Sequence, residues 1–200
     1  MNEKDVTMRK IICLVILLLL CRSDACAFLS ENNNIDPHNY PFLLLAGDLQ
    51  VYDIKLDLSG QAEKAHSKKW INGAYEIKYE YDRRDSDDYH TLFFSVKLEI
   101  ERNIARAKKI YRDGLLVIAK TSAIAGMPCK EIRDAVAWGD ESYYAQREKD
   151  GRPVGLIFTT RLKNRVYTII MAGLYSSDHS LITDLVLPRL EYIESFEITE

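Results

Sequence analysis

A chain of 200 residues with 47% apolar residues, 28% charged residues, nine glycines and five prolines has the size and make-up of one globular domain. These values exclude a disordered or fibrous chain, and a core of this size needs no metal or disulfide to hold it. A formal net charge of −3 lacks the basic footprint that DNA or RNA binding calls for.

In chain order, the first segment is a material apart. Met8-Arg9-Lys10 is basic, and Ile11–Leu20 is an apolar run interrupted only by Cys13. Ala25-Cys26-Ala27 then presents the small side chains that a signal peptidase pocket admits. Ten helical residues span about 15 Å, half of a bilayer core of about 30 Å, so the run predicts an export signal and not a membrane-spanning helix. Glu3 and Asp5 suit a signal poorly, which leaves Met1 and Met8 as alternative starts. Residues 1–27 are therefore expected to be a signal peptide, 28–41 a flexible polar lead, and 42–200 a single α+β domain outside the cytoplasm, periplasmic or extracellular. Cys26 has three alternative fates: removal with the signal, acylation as the first residue of a lipoprotein, or pairing with Cys129. The signal or such a lipid is the only membrane attachment expected.

Phe42-Leu43-Leu44-Leu45 is a short buried segment, helix or strand. Val51–Leu58 alternates apolar and polar and predicts a strand, ended by Ser59-Gly60, whereas the lysine-rich Gln61–Lys69 predicts a loop with some helical turn. Tyr75, Ile77, Tyr79 and Tyr81 alternate with Glu76, Lys78 and Glu80; Leu92, Phe94, Val96, Leu98 and Ile100 alternate with Ser95, Lys97 and Glu99. Two such runs about a charged turn predict an antiparallel hairpin, each strand with one buried and one wet face. From Arg102 the period becomes helical, with Ile104, Ala107, Ile110, Tyr111, Leu115 and Ile118 as the apolar stripe. Gly114 is expected to kink that helix or end it early, and Gly126-Met127-Pro128 to close it.

The last third predicts a meander. Ser142–Glu148, Leu156–Arg161 and Arg165–Gly173 are its strands, and Asp150-Gly151 is a two-residue turn with positive φ at both positions. Tyr167–Ala172 is apolar on both faces, which predicts a central strand covered on both sides. Ser176-Ser177-Asp178 caps a final helix whose core stripe is Leu181, Ile182, Leu185, Val186, Leu190 and Ile193, with a kink at Pro188.

The expected fold class is thus α+β, a largely antiparallel sheet with helices packed on it. Three stretches carry a resemblance: Tyr75–Tyr81, Leu92–Ile100 with the helix from Arg102, and Gly155–Leu174 running into Ser176–Phe196. Over residues 42–198 this order of elements resembles the α/β/α sandwich of the family of the photosystem oxygen-evolving PsbP subunit, the periplasmic DcrB protein and Mog1. The resemblance implies an accessory or binding role outside the cytoplasm and transfers no functional residue.

Chemistry-bearing residues are sparse. No nucleophile elbow, His-Glu-x-x-His pair, Cys-x-x-Cys or phosphate-cradling loop occurs, so neither a cofactor nor a catalytic set is expected. His38, His66, His90 and His179 are scattered, with His38 and His66 expected in solvent. Asp85-Ser86-Asp87-Asp88-Tyr89-His90 offers the clustered carboxylates a hard cation prefers, yet lacks the glycine and closing glutamate of a calcium loop. A soluble hairpin tip is the expected role. Cys129 beside Lys130 is expected to be an inert thiol or half of a disulfide. Trp138, Asp140, Glu141 and Tyr143 form the most site-like cluster: carboxylates and aromatics at a strand entry can line a ligand groove or simply cap the strand. Tyr75, Tyr79 and Tyr81 are expected in the core, with a recognition face as the alternative.

The composite expectation is an exported, non-catalytic accessory or binding protein of the cell envelope, whose partner is an envelope protein or a small ligand. The alternatives are a small-ligand domain using a groove near Trp138 and Tyr143, or a hydrolase whose residues meet only in space.

Overall fold

A computed structural model describes residues 30–52, 62–83, 92–133, 136–174 and 179–198. Among the described residues, eight strands form one antiparallel sheet: β1 (Ser30–Asn34), β2 (Glu63–Trp70), β3 (Tyr75–Arg83), β4 (Leu92–Ile100), β5 (Cys129–Glu131), β6 (Glu141–Lys149), β7 (Arg152–Leu162) and β8 (Arg165–Ala172). Two helices pack with it, α1 (Ile104–Ile124) and α2 (Leu187–Ser195). The architecture is therefore α+β, as the order of the periodic segments predicts. The spatial order is β1-β2-β3-β4-β8-β7-β6-β5, two four-stranded meanders fused where β4 meets β8.

The predicted hairpin is β3–β4, with Tyr79 opposite Val96. Its alternation puts Ile77, Tyr79, Tyr81, Phe94, Val96 and Leu98 wholly inside, on the face where Tyr167, Ile169 and Met171 of β8 continue the core. This main core is closed by Phe42, Leu44 and Leu49 of the segment before β2 and by Leu181, Ile182, Val186, Leu190 and Ile193 near the C-terminus. Two buried phenols fasten that early segment to the sheet. The Tyr79 hydroxyl accepts from the Ala46 N–H at 3.0 Å and donates to Glu63 at 2.9 Å, and the Tyr167 hydroxyl donates to the Phe42 carbonyl at 2.7 Å. Tyr79 and Tyr81 are thus core side chains, which leaves no recognition face there.

Several local expectations change. Part of the polar lead, Ser30–Asn34, is an edge strand pairing with β2, where exposed polar side chains suit an outermost position. The strand expected from Val51 does not start there, since Val51 and Tyr52 end a 3₁₀ stretch, Ala46–Tyr52; residues 53–58 lie outside the described residues. The lysine-rich segment expected as a loop is strand β2. Its polarity misleads because one of its faces is not covered by any helix among the described residues. Gly114 does not end α1, which Asn103 caps through the Arg106 N–H and which Gly126, at φ 69°, closes as expected. Asp150 and Gly151 have φ of 51° and 73°, the expected turn.

The final helix begins as a π-helical stretch, Leu181–Val186, and becomes α2 at Leu187. Pro188 sits at that seam, because a residue without an N–H is tolerated only in a first turn. Its expected cap, Ser176-Ser177-Asp178, lies outside the described residues.

The single crossover decides what stays open. From β4 in the middle of the sheet, α1 runs toward β5 at the far edge and packs over β8, β7 and β5. A helix about 10 Å wide covers only about two strand spacings of roughly 4.8 Å. Among the described residues, no helix therefore covers the same face of β2, β3 and β4 beside it.

Candidate functional site

The predicted cluster at the entry to β6 is a structural clamp. Arg161 of β7 is 3% exposed, and its Nε donates to Glu141 at 2.5 Å while its Nη1 donates to Asp140 at 2.6 Å and to the Lys163 carbonyl at 2.9 Å. Asp140 also accepts the Lys163 N–H, and these two donors hold its carboxyl below the usual carboxylate range. Gly139 is needed there, since at φ 76° a Cβ would stand 2.5 Å from the Arg161 carbonyl oxygen. Thr160 closes the turn by donating to the Trp138 carbonyl at 2.6 Å. Trp138 and Tyr143 do not share a groove. Trp138 packs on the main core, whereas Tyr143 joins Ala107, Tyr111 and Val166 under α1, on the opposite face. Cys129 is half-buried on β5, and Cys26, its candidate partner, lies outside the described residues, as does the Asp85–His90 turn.

What the chain does build is a groove of about 550 Å³ between α1 and the uncovered part of the sheet. One wall is apolar, formed by Ile110, Val117 and Ile118 of α1 over Val166 and Ile170 of β8. The rest of its floor is charged in a regular pattern that follows from the register. One cross-strand row reads His66, Lys78, Lys97, Thr168, Thr159; the adjoining row reads Lys68, Glu76, Glu99, Val166, Arg161. Lys78 therefore faces Lys97, and Glu76 faces Glu99, pairings that repel when taken alone. Each lysine is satisfied along its own strand instead, Lys78 by Glu80 at 2.6 Å and Lys97 by Glu99 at 3.0 Å. His66, expected in solvent on a loop, is on β2 with its ring 3.6 Å from Glu76. At the helix side, Thr159 is 2% exposed, and its hydroxyl has no hydrogen-bond partner among the described residues.

Burial holds the Glu99 carboxyl above its ordinary range; Lys97 opposes the shift, and Glu76 and Glu101 add to it. A carboxyl with a raised folded pKa weakens the fold when charged. That loss is absent below the unfolded pKa of about 4.3 and complete above the folded one. Glu99→Gln is accordingly expected to raise the melting temperature at pH 7 by roughly 2–5 °C, with the gain fading as the pH falls to 4. Circular-dichroism melts at the two pH values check this, and equal gains at both would contradict it.

The groove residues were partly visible in the sequence, since Glu76, Lys78, Lys97 and Glu99 are the wet positions of the predicted hairpin. That His66 and Thr159 fall in line with them depends on strand order, for which the sequence offers no signal. No protein-family model matches this chain, and no curated protein or solved structure matches it. Among the described residues, no helix is long and apolar enough to cross a membrane.

Proposed function

We propose that this chain is an exported, non-catalytic binding protein of the cell envelope and that its ligand seats in the groove beside α1. The observation that carries the reading is the groove itself: an apolar helix wall beside a floor of alternating charge. Convergence of a few polar groups in a mainly apolar concavity is the usual form of a small-molecule seat. The basic-then-apolar start with Ala25-Cys26-Ala27 supports export, and the likeness to the PsbP, DcrB and Mog1 sandwich supports an accessory role. The charged groups in the groove are engaged as ion pairs, a pattern suited to holding a ligand in register.

The test is expression of the full chain in a secreting bacterial host, followed by fractionation and native mass spectrometry. A processed protein in the envelope fraction is expected, cleaved after Ala27 or acylated at Cys26, with a co-purifying small molecule. Gly114→Phe is expected to lose that molecule while keeping its circular-dichroism spectrum. A Cβ at Gly114 meets nothing within 4 Å, so the ring enters the groove, and replacing glycine favours the helix. Unprocessed chain among cytosolic proteins, or an adduct that survives Gly114→Phe, would overturn the reading.

A further inference from the structure

We propose that the outward side of α1 is a docking surface for an anionic lipid bilayer, with the helix lying flat in the headgroup layer. This attachment is additional to the signal or lipid expected at the N-terminus, and it does not depend on what the groove holds.

Charge sets the sign of the partner. Residues 102–124 carry six cations, Arg102, Arg106, Lys108, Lys109, Arg112 and Lys120, against one acid, Asp113. That is a surplus of five positive charges on a chain whose net charge is −3. Arg106 is engaged by Glu101 at 2.8 Å and Lys109 by Asp113, whereas no ion pair engages Arg112 or Lys120 among the described residues. Both are exposed. Cations gathered on one element of an acidic chain are the footprint of a negative partner.

Geometry sets the kind of partner. The inward side of α1 buries Ala107, Tyr111 and Ser122. On the opposite side Arg112, Leu116, Lys120 and Ile124 stand four residues apart and form one row of about 18 Å, cation alternating with aliphatic. Leu116 is 60% exposed, Val117 beside it 60% and Ile124 87%, which makes them three of the six large apolar side chains exposed among the described residues. α1 is also the only helix on its face of the sheet among the described residues, so it stands proud of the strands and can meet a flat surface. A protein interface gathers its apolar side chains into a dry centre with charge at the rim. In this row every aliphatic side chain has a cation one turn away, so no such centre forms. A nucleic acid supplies phosphates but no apolar phase for Leu116, Val117 and Ile124. A bilayer surface supplies both, because the long stems of Arg112 and Lys120 carry their charges to headgroup phosphates while the aliphatic side chains enter the acyl boundary.

The experiment is sedimentation of the full chain, exported from a Cys26→Ala background so that no acyl chain contributes, with vesicles of phosphatidylcholine or of an equal mixture with phosphatidylglycerol. All variants share the same N-terminus. Binding to the mixed vesicles is expected to be at least about tenfold tighter than to phosphatidylcholine alone, and to weaken as salt is added. Arg112→Gln combined with Lys120→Gln is expected to weaken it about thirtyfold, and Ile124→Gln about tenfold. All three positions are exposed, so the melting temperature is expected to stay as it is. No binding to the mixed vesicles, equal binding to both kinds, or binding that the arginine–lysine variant leaves intact overturns the proposal. Binding lost with the two cations but kept in Ile124→Gln overturns it as well, since the protein then adsorbs through charge alone. Retention on poly-L-glutamate without binding to vesicles overturns it in favour of an acidic protein.

Discussion

Gly155→Ala is expected to destabilise the protein by about 3 kcal/mol or more, the upper part of the range for overpacking a site that cannot give way. A Cβ there would stand 2.2 Å from the Met171 carbonyl oxygen and 3.0 Å from its carbon. Both atoms belong to the backbone of β8, which Gly155 joins through its pairing with Ala172. No rotamer change relieves a clash with main chain, so the strands must part where both are buried between α1 and the main core. Urea unfolding measures the loss as a lowered midpoint. An unchanged midpoint would show that β7 and β8 can separate locally at no cost.

Arg161→Met ranks next, at about 3 kcal/mol, the low end for breaking a buried ion pair. Methionine keeps much of the aliphatic stem, so the loss reports the guanidinium and not a cavity. What remains is Glu141 at 30% side-chain exposure and Asp140 at 45%, which water reaches in part and so spares the full penalty. The Lys163 carbonyl also loses its donor, and the turn between β7 and β8 loosens with it. The same urea series tests this. A triple variant that also carries Asp140→Asn and Glu141→Gln is expected to recover part of the stability, because the orphaned charges go with the arginine.

Both predictions fall in the C-terminal meander, whose Asp150-Gly151 turn was legible from its tolerance of positive φ and whose strand β8 was legible from a run apolar on both faces. The β3–β4 hairpin was the most legible part, because period-2 alternation acts over a few residues and picks out its core side chains directly. β2 was not legible, because Glu63–Trp70 shows no apolar alternation. Strands reveal themselves by burying one face against something, and β2 buries little. The helix stripe was overread in turn. Of the residues expected to face the core, Ala107 and Tyr111 are buried, while Ile104 is 50% exposed. A 3.6-residue period gives the direction of an apolar face but not how much of it finds a partner. The candidate site failed on a third ground. Asp140 and Glu141 looked available because Arg161, which engages both, is about twenty positions later and becomes adjacent only through the pairing of β6 with β7.

The joining of the two meanders has a consequence for biosynthesis. The β4 strand does not pair with the strand that follows it but with the last one, Arg165–Ala172. Until Arg165–Ala172 has been added to the chain, β4 has no strand to pair with on that side and β7 lacks its second neighbour, so Phe94, Val96 and Leu98 have no β8 side chains to pack on. The last strand made is thus the one that joins the two halves.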